Sequence, residues 1–109
     1  MRYFITGATG FIGGRLAVKL RAAGHEVVAL VRSPERAKEL AAAGVELAQG
    51  DITARETLRD PMTGVDGVFH VAGWYKVGAK DTSAGQRINI DGTRNVLETM
   101  RDLNIPRGV

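Results

Sequence analysis

Cysteine is absent from the 109 residues. That excludes a disulfide scaffold, a thiolate metal site and a cysteine nucleophile. Histidine occurs only at His25 and His70, too far apart to suggest a metal constellation. Long apolar runs are missing as well. The longest aliphatic stretch, Val27 to Val31, is far short of a membrane span, so no membrane partner is expected. The opening Met-Arg-Tyr-Phe-Ile-Thr-Gly is too short an apolar stretch for a secretory signal. These features fit a cytosolic, cytoplasmic protein.

Clustered charge is scarce too. Lys plus Arg number 15 against 12 Asp plus Glu, a net charge of +3. The sequence pI of about 9.7 invites a nucleic-acid reading. The distribution argues against one. Arg15, Lys19 and Arg21 form the densest basic group, acids are interleaved elsewhere, and there is no basic tail or Arg/aromatic platform. With 44% hydrophobic and 25% charged residues the composition is that of an ordinary globular chain. The length suits one small domain and not two.

What is abundant is glycine, 14 residues, and its placement is informative. Tyr3-Phe4-Ile5 is a short β-prone run ending in Thr6-Gly7. Ile12, Leu16 and Leu20 then recur every four residues as a helical face, with Gly24 just past its end. Glu26 to Val31 reads as a buried strand. Ser33 and Pro34 open a helix as N-cap and first residue, Leu40 and the alanines carry its inner face, and Gly44 ends it. Val45 to Ala48 is a third strand. Thr53-Ala54-Arg55-Glu56 has capping-box spacing and predicts a short helix broken by Pro61 and Gly64. Val68 to Val71 is a fourth strand. A long helix follows over about Ser83 to Leu103, with Ile88, Val96 and Met100 as its stripe. Gly92 lies on that stripe where a neighbour can approach closely, and Pro106 closes the helix.

The alternation β-α-β-α-β-α-β-α predicts an α/β fold, a Rossmann-like parallel sheet with helices on both faces and strand order 3-2-1-4. The chain stops just where Pro106 to Val109 would lead into a fifth strand. Residues 1–109 therefore read as one incomplete NAD(P)-binding Rossmann domain, truncated before the fifth strand, with the substrate domain absent. The fourth strand is expected to keep an open edge, leaving the isolated 109 residues marginal, self-associating or stabilised by cofactor.

Thr6-Gly7-Ala8-Thr9-Gly10-Phe11-Ile12-Gly13 joins the first strand to the first helix, the context a phosphate site needs. Gly7 takes tight-turn angles, Gly10 lets a pyrophosphate approach the backbone, and Gly13 lets the helix pack closely on the strand. The helix N-terminus adds free N–H groups and partial positive charge. The triplet is spaced G-x-x-G-x-x-G. The bland alternative is a purely structural turn.

Thr6 to Gly13 resembles the cofactor loop of the extended short-chain dehydrogenase/reductase superfamily, the NAD-dependent epimerase/dehydratase branch. Gly50-Asp51-Ile52 resembles its adenine-contact motif, Gly67 to Gly73 the strand and turn beside the nicotinamide, and Asn89 to Glu98 the helix after it. Trp74-Tyr75-Lys76-Val77-Gly78 resembles the dihydroflavonol-reductase-like members. The resemblance implies that Gly7, Thr9, Gly10, Phe11, Ile12, Gly13, Asp51, Ile52, Val71, Ala72 and Gly73 bind a nicotinamide dinucleotide. It implies a helix-mediated homodimer as well. Asp51 also reads simply as a turn residue before a helix. His70 reads as an ordinary residue on a buried strand. Asn89 is similar to a family Asn that supports an ordered water, or hydrogen-bonds backbone. For Tyr75 and Lys76 a solvated loop is favoured over a substrate mouth.

An acid about twenty residues past the glycines would bond the ribose 2′-OH and signal NAD. Counted from Gly10 that place is Val31, followed by Arg32, whose planar fork suits a 2′-phosphate. Arg36 is placed to assist and Ser33 to donate a hydroxyl. NADP is therefore expected over NAD; a solvated strand-end charge is the bland reading of Arg32.

The family's activity resembles hydride transfer with a Tyr-x-x-x-Lys pair and a Ser or Thr on the fifth strand. Neither Tyr3 nor Tyr75 fits that spacing, so no catalytic residue is assigned. The reading is the NADP(H)-binding N-terminal part of an oxidoreductase acting on a carbonyl or alcohol, with a small-molecule substrate bound by the rest of the parent protein. The alternatives are a non-catalytic dinucleotide-binding module, a nucleotide-sugar epimerase/dehydratase fragment, and a fragment that neither binds nor catalyses.

Overall fold

The computed structural model describes residues 1–7, 11–71, 83–106 and 108; at 11, 12, 36 and 83–90 it describes the backbone only. Four strands, β1 (Arg2–Thr6), β2 (Glu26–Val31), β3 (Glu46–Gln49) and β4 (Gly67–His70), form one parallel sheet in the order β3-β2-β1-β4. The helices are α1 (Phe11–Ala22), α2 (Lys38–Ala42), α3 (Arg59–Met62) and α4 (Ser83–Asp102). Both the order and the alternation are those the sequence predicts. Short 3₁₀ turns, Pro34–Ala37 and Arg55–Thr57, lead into α2 and α3.

The two central strands are buried on both faces, which is why they read as near-continuous apolar runs. Side chains alternate between faces. Phe4, Val28, Leu30 and Val68 pack with Leu58, Met62 and Val96 of the α3–α4 side. Ile5, Val27, Ala29 and Val31 pack with Ala17, Ala37 and Leu40 of the α1–α2 side. Two cores thus clamp the sheet, and Phe4 and Ile5 are both fully inaccessible to solvent.

Helix stops follow local chemistry. Gly24 and Gly44 both have φ +92, and in each case the next residue's N–H reaches back five residues, His25 to Leu20 and Val45 to Leu40. That is the Schellman arrangement, in which glycine avoids the cost of a left-handed backbone. α4 ends the same way, but on Asn104 at φ 56 rather than on Pro106, with the Ile105 N–H bonded to the Met100 carbonyl. Asparagine tolerates this region, so the helix has stopped before proline is reached.

Several local expectations are corrected. Thr53 forms no capping box: its hydroxyl and its N–H both donate to the Asp51 carboxylate, and the 3₁₀ turn begins after Ala54. Pro61 does not break α3 but lies in its first turn, where a missing N–H costs nothing. Over the 3₁₀ turn and α2 the inner face is Ala37 and Leu40, whereas Ala41 and Ala42 of α2 and Ala43 just after it are exposed. Ser33 precedes Pro34 as expected but makes no side-chain cap bond. Finally, Gly108 forms a parallel bridge with Val68, so the free edge of β4 is not left wholly open.

Candidate functional site

All four strands run the same way, so their C-terminal ends lie along one edge of the sheet. Open α/β sheets bind ligands there. Thr6–Gly7, Val31–Arg32, Gly50–Asp51–Ile52 and His70–Val71 are the four strand exits.

At the β1 exit Gly7 has φ +73, a backbone that an L side chain resists. α1 opens four residues later, is 12 residues long, and carries no acid in its first turn. Its N-terminal partial positive charge is therefore not cancelled by its own side chains. Gly13 is buried. Thr9 and Gly10 lie outside the described residues, as do the side chains of Phe11 and Ile12.

At the β2 exit Val31 points into the core and is 2% exposed. Arg32 is exposed and makes no ion pair among the described residues. Ser33 is half-buried with its hydroxyl unused for capping. The Arg36 side chain lies outside the described residues.

The β3 exit is the most tightly determined. A Cβ on Gly50 would lie 2.7 Å from Leu30 Cδ1 and 2.8 Å from Thr57 Cβ, so only glycine fits. Thr57 then ties the turn together: its hydroxyl accepts from the Asp51 N–H at 3.1 Å, and its one proton is shared between the carbonyls of Ala54 and Asp51 at 2.7 and 3.0 Å. Asp51 Oδ1 accepts from the Thr53 N–H and hydroxyl, each at 2.9 Å, leaving Oδ2 without a hydrogen bond among the described residues. The Thr53 N–H holds this carboxyl below the usual carboxylate range; partial burial opposes it, and the Thr53 hydroxyl and the charge of Arg32 assist. The Ile52 side chain turns into the core against Gly92, where a Cβ would come within 2.4 Å of Ile52 Cδ1. The Ile52 side chain is thus taken up by packing. Asn95 donates to the Ile52 carbonyl at 2.8 Å.

At the β4 exit Thr6 and His70 are register partners. Thr6 Oγ1 and His70 Nδ1 share a hydrogen bond of 2.8 Å, and His70 Nε2 shares another of 2.9 Å with Thr93 on α4. The Val71 N–H donates to Thr6 Oγ1 at 3.1 Å. Desolvation lowers the pKa of His70, favouring the neutral ring. His70 is on the strand as expected, but as a polar bridge between three elements. Ala72, Gly73, Tyr75 and Lys76 lie outside the described residues, as does the Asn89 side chain.

Sequence reasoning missed Thr57, Thr93 and Asn95. Thr93 and Asn95 stand in the segment singled out for its resemblance, but their partners lie 23 and 43 residues away. Tyr3 belongs elsewhere. It is the second residue of β1, towards the opposite end of the sheet, and packs edge-on against His25 and Phe69 at 5.2 and 5.4 Å. No cluster of three or more metal-ligating side chains occurs among the described residues. No described helix is long and apolar enough to cross a membrane.

The parallel order β3-β2-β1-β4 with helices on both faces defines a Rossmann-type sheet. The chain belongs to the NAD dependent epimerase/dehydratase family, whose model matches residues 3–109. It is 41% identical over 109 residues to a 4-hydroxy-2-methyl-3-oxo-4-farnesyl-3,4-dihydroquinoline-1-oxide ketoreductase of Stigmatella aurantiaca, covering 100% of this chain and 32% of that protein. It is 38% identical over 107 residues to a Synechocystis protein provisionally named dihydroflavonol 4-reductase, covering 98% of this chain and 31% of that one. Among solved structures, the Thermus thermophilus UDP-glucose 4-epimerase in complex with NAD superposes with a TM-score of 0.82 at 28% identity. The match covers 99% of this chain and 36% of the epimerase. The chain thus spans about a third of the length of the curated relatives it matches.

Proposed function

We propose that these residues are the cofactor-binding N-terminal part of an NADP(H)-dependent oxidoreductase that moves hydride between the nicotinamide and a carbonyl or alcohol. One observation carries the cofactor choice. At the β2 exit the position for a ribose-binding acid is Val31, buried in the core, and the next side chain is an exposed Arg32 without an ion pair among the described residues. A guanidinium there suits a 2′-phosphate and offers nothing in place of the acid's bond to a 2′-hydroxyl.

The remaining assignments follow the strand exits. Gly7, Thr9, Gly10 and Gly13 with the start of α1 hold the pyrophosphate, Phe11 and Ile12 supplying backbone N–H groups. Arg32, Ser33 and Arg36 hold the 2′-phosphate. Asp51 Oδ2 accepts from the adenine amino group, with the Ile52 backbone beside it. Val71, Ala72 and Gly73 leave room for the nicotinamide ribose. The dinucleotide supplies or accepts the hydride; the residues described here bind and orient it. The ketoreductase relative supports the carbonyl substrate class. The likeness to the NAD-bound epimerase favours a second reading, a nucleotide-sugar epimerase.

The test is Arg32→Ala in the full chain. NADPH affinity should fall at least about tenfold while NADH affinity changes by less than about twofold. Equal losses for both cofactors would remove the case for NADP.

A further inference from the structure

We propose that Asn95 is a positioning residue for the adenine half of the dinucleotide site, acting through the Ile52–Thr53 peptide; this rests on the cofactor reading above. That peptide is held at both ends. Its carbonyl, on Ile52, accepts from Asn95 Nδ2 at 2.8 Å. Its N–H, on Thr53, donates to Asp51 Oδ1 at 2.9 Å. A trans peptide is planar with its C=O and N–H pointing opposite ways, so a rotation that breaks one bond breaks the other. Asn95 thus fixes the plane that aims the Asp51 carboxylate.

The rest of the surroundings leave that plane little freedom. Ile52 is wedged against Gly92, one turn before Val96 on the buried face of α4. Asp51 is fixed on its other side by Thr57. Without the Asn95 donor the Ile52 carbonyl, on a residue only 7% exposed, loses its one protein partner among the described residues. The peptide then turns to find another. The effect should stay local. β3 and β4 are the two outer strands of the order β3-β2-β1-β4. Asp51 follows the end of β3 and His70 ends β4, so the two exits belong to opposite outer strands.

The experiment compares Asn95→Leu with the wild type in the full chain, using adenosine 2′,5′-bisphosphate and reduced nicotinamide mononucleotide as separate probes. The bisphosphate should bind about tenfold more weakly and the mononucleotide within about twofold of wild type. By carboxyl-resolved NMR, Asp51 should titrate closer to the ordinary carboxylate value, because its main stabilising donor has moved. A residue that only supports the fold would weaken both probes alike. Asn95→Asp keeps the size, removes the donor and carries the same test if the leucine variant does not fold. Equal loss of both probes, or unchanged bisphosphate binding, overturns the inference alone. A wild-type chain that fails to bind the bisphosphate overturns the cofactor reading and the inference with it.

Discussion

Thr6 and His70 face each other across two parallel strands, and the threonine hydroxyl and imidazole Nδ1 meet at 2.8 Å. The opposite edge of the ring is bonded to Thr93 of α4. One imidazole therefore joins the strand that feeds the glycine loop, the strand beside the proposed nicotinamide pocket, and the helix that covers them.

Replacing this ring should cost stability. His70→Leu leaves a hydroxyl on a fully buried threonine without its ring partner, and Thr93 likewise. The expected loss is about 1–3 kcal/mol, read as a drop in denaturation midpoint at unchanged m-value. A midpoint equal to wild type would mean the bridge contributes nothing net.

The same ring should make stability depend on pH. Burial lowers the folded His70 pKa below its ordinary 6.5. Between the folded value and 6.5 the unfolded chain holds more protons, so folding stability rises with pH across that window. The contribution is complete above 6.5 and fades as pH falls through the folded value. Thermal midpoints at about pH 5 and about pH 8 should differ more in wild type than in His70→Gln. Equal differences in the two proteins would contradict this.

Asp51 gives a second, separate window. Its folded pKa lies below 3.8, so its contribution is present above 3.8 and is lost as pH falls through the folded value. Asp51→Asn should flatten the acid limb of the stability profile there, and leave the slope near neutrality as in wild type.

Gly92 and Gly64 should respond to alanine for different reasons. At Gly92 a Cβ would meet Ile52 Cδ1 at 2.4 Å, and the core must shift at a cost of about 1–3 kcal/mol. At Gly64 nothing lies within 4 Å, but φ is +82, so alanine costs only backbone strain, about 1–2 kcal/mol. Chemical denaturation measures both. The distinguishing result is nucleotide binding, which Gly92→Ala should weaken through Ile52 and Gly64→Ala should leave intact.

Arg55 binds both Glu98 and Asp102 of α4, the latter at 2.6 Å. All three side chains are substantially exposed, so Arg55→Ala should cost no more than about 1 kcal/mol, and less in high salt. A larger, salt-insensitive loss would mean the arginine stem packs more than it pairs.

Much of this architecture is legible from the chain because its signals are local. Five consecutive buried residues in β2, glycines two residues past α1 and α2, and the small residue on the α4 stripe each follow from neighbours in sequence. Register is different. Nothing near Thr6 says that it faces His70, 64 residues on, and nothing near Asn95 points to Ile52, 43 residues back. The Thr53 capping-box expectation fails for a different, local reason. The side chain had a nearer acceptor in Asp51, and a four-residue pattern does not rank competing partners.

The most direct test of the central claim is the ratio of NADPH to NADH affinity in the full wild-type chain, titrated by cofactor fluorescence at one ionic strength. A buried Val31 beside an exposed Arg32 that makes no ion pair among the described residues predicts NADPH bound at least about tenfold more tightly. NADH bound equally well or better would contradict it, and would leave Arg32 as a solvated charge at the end of a strand.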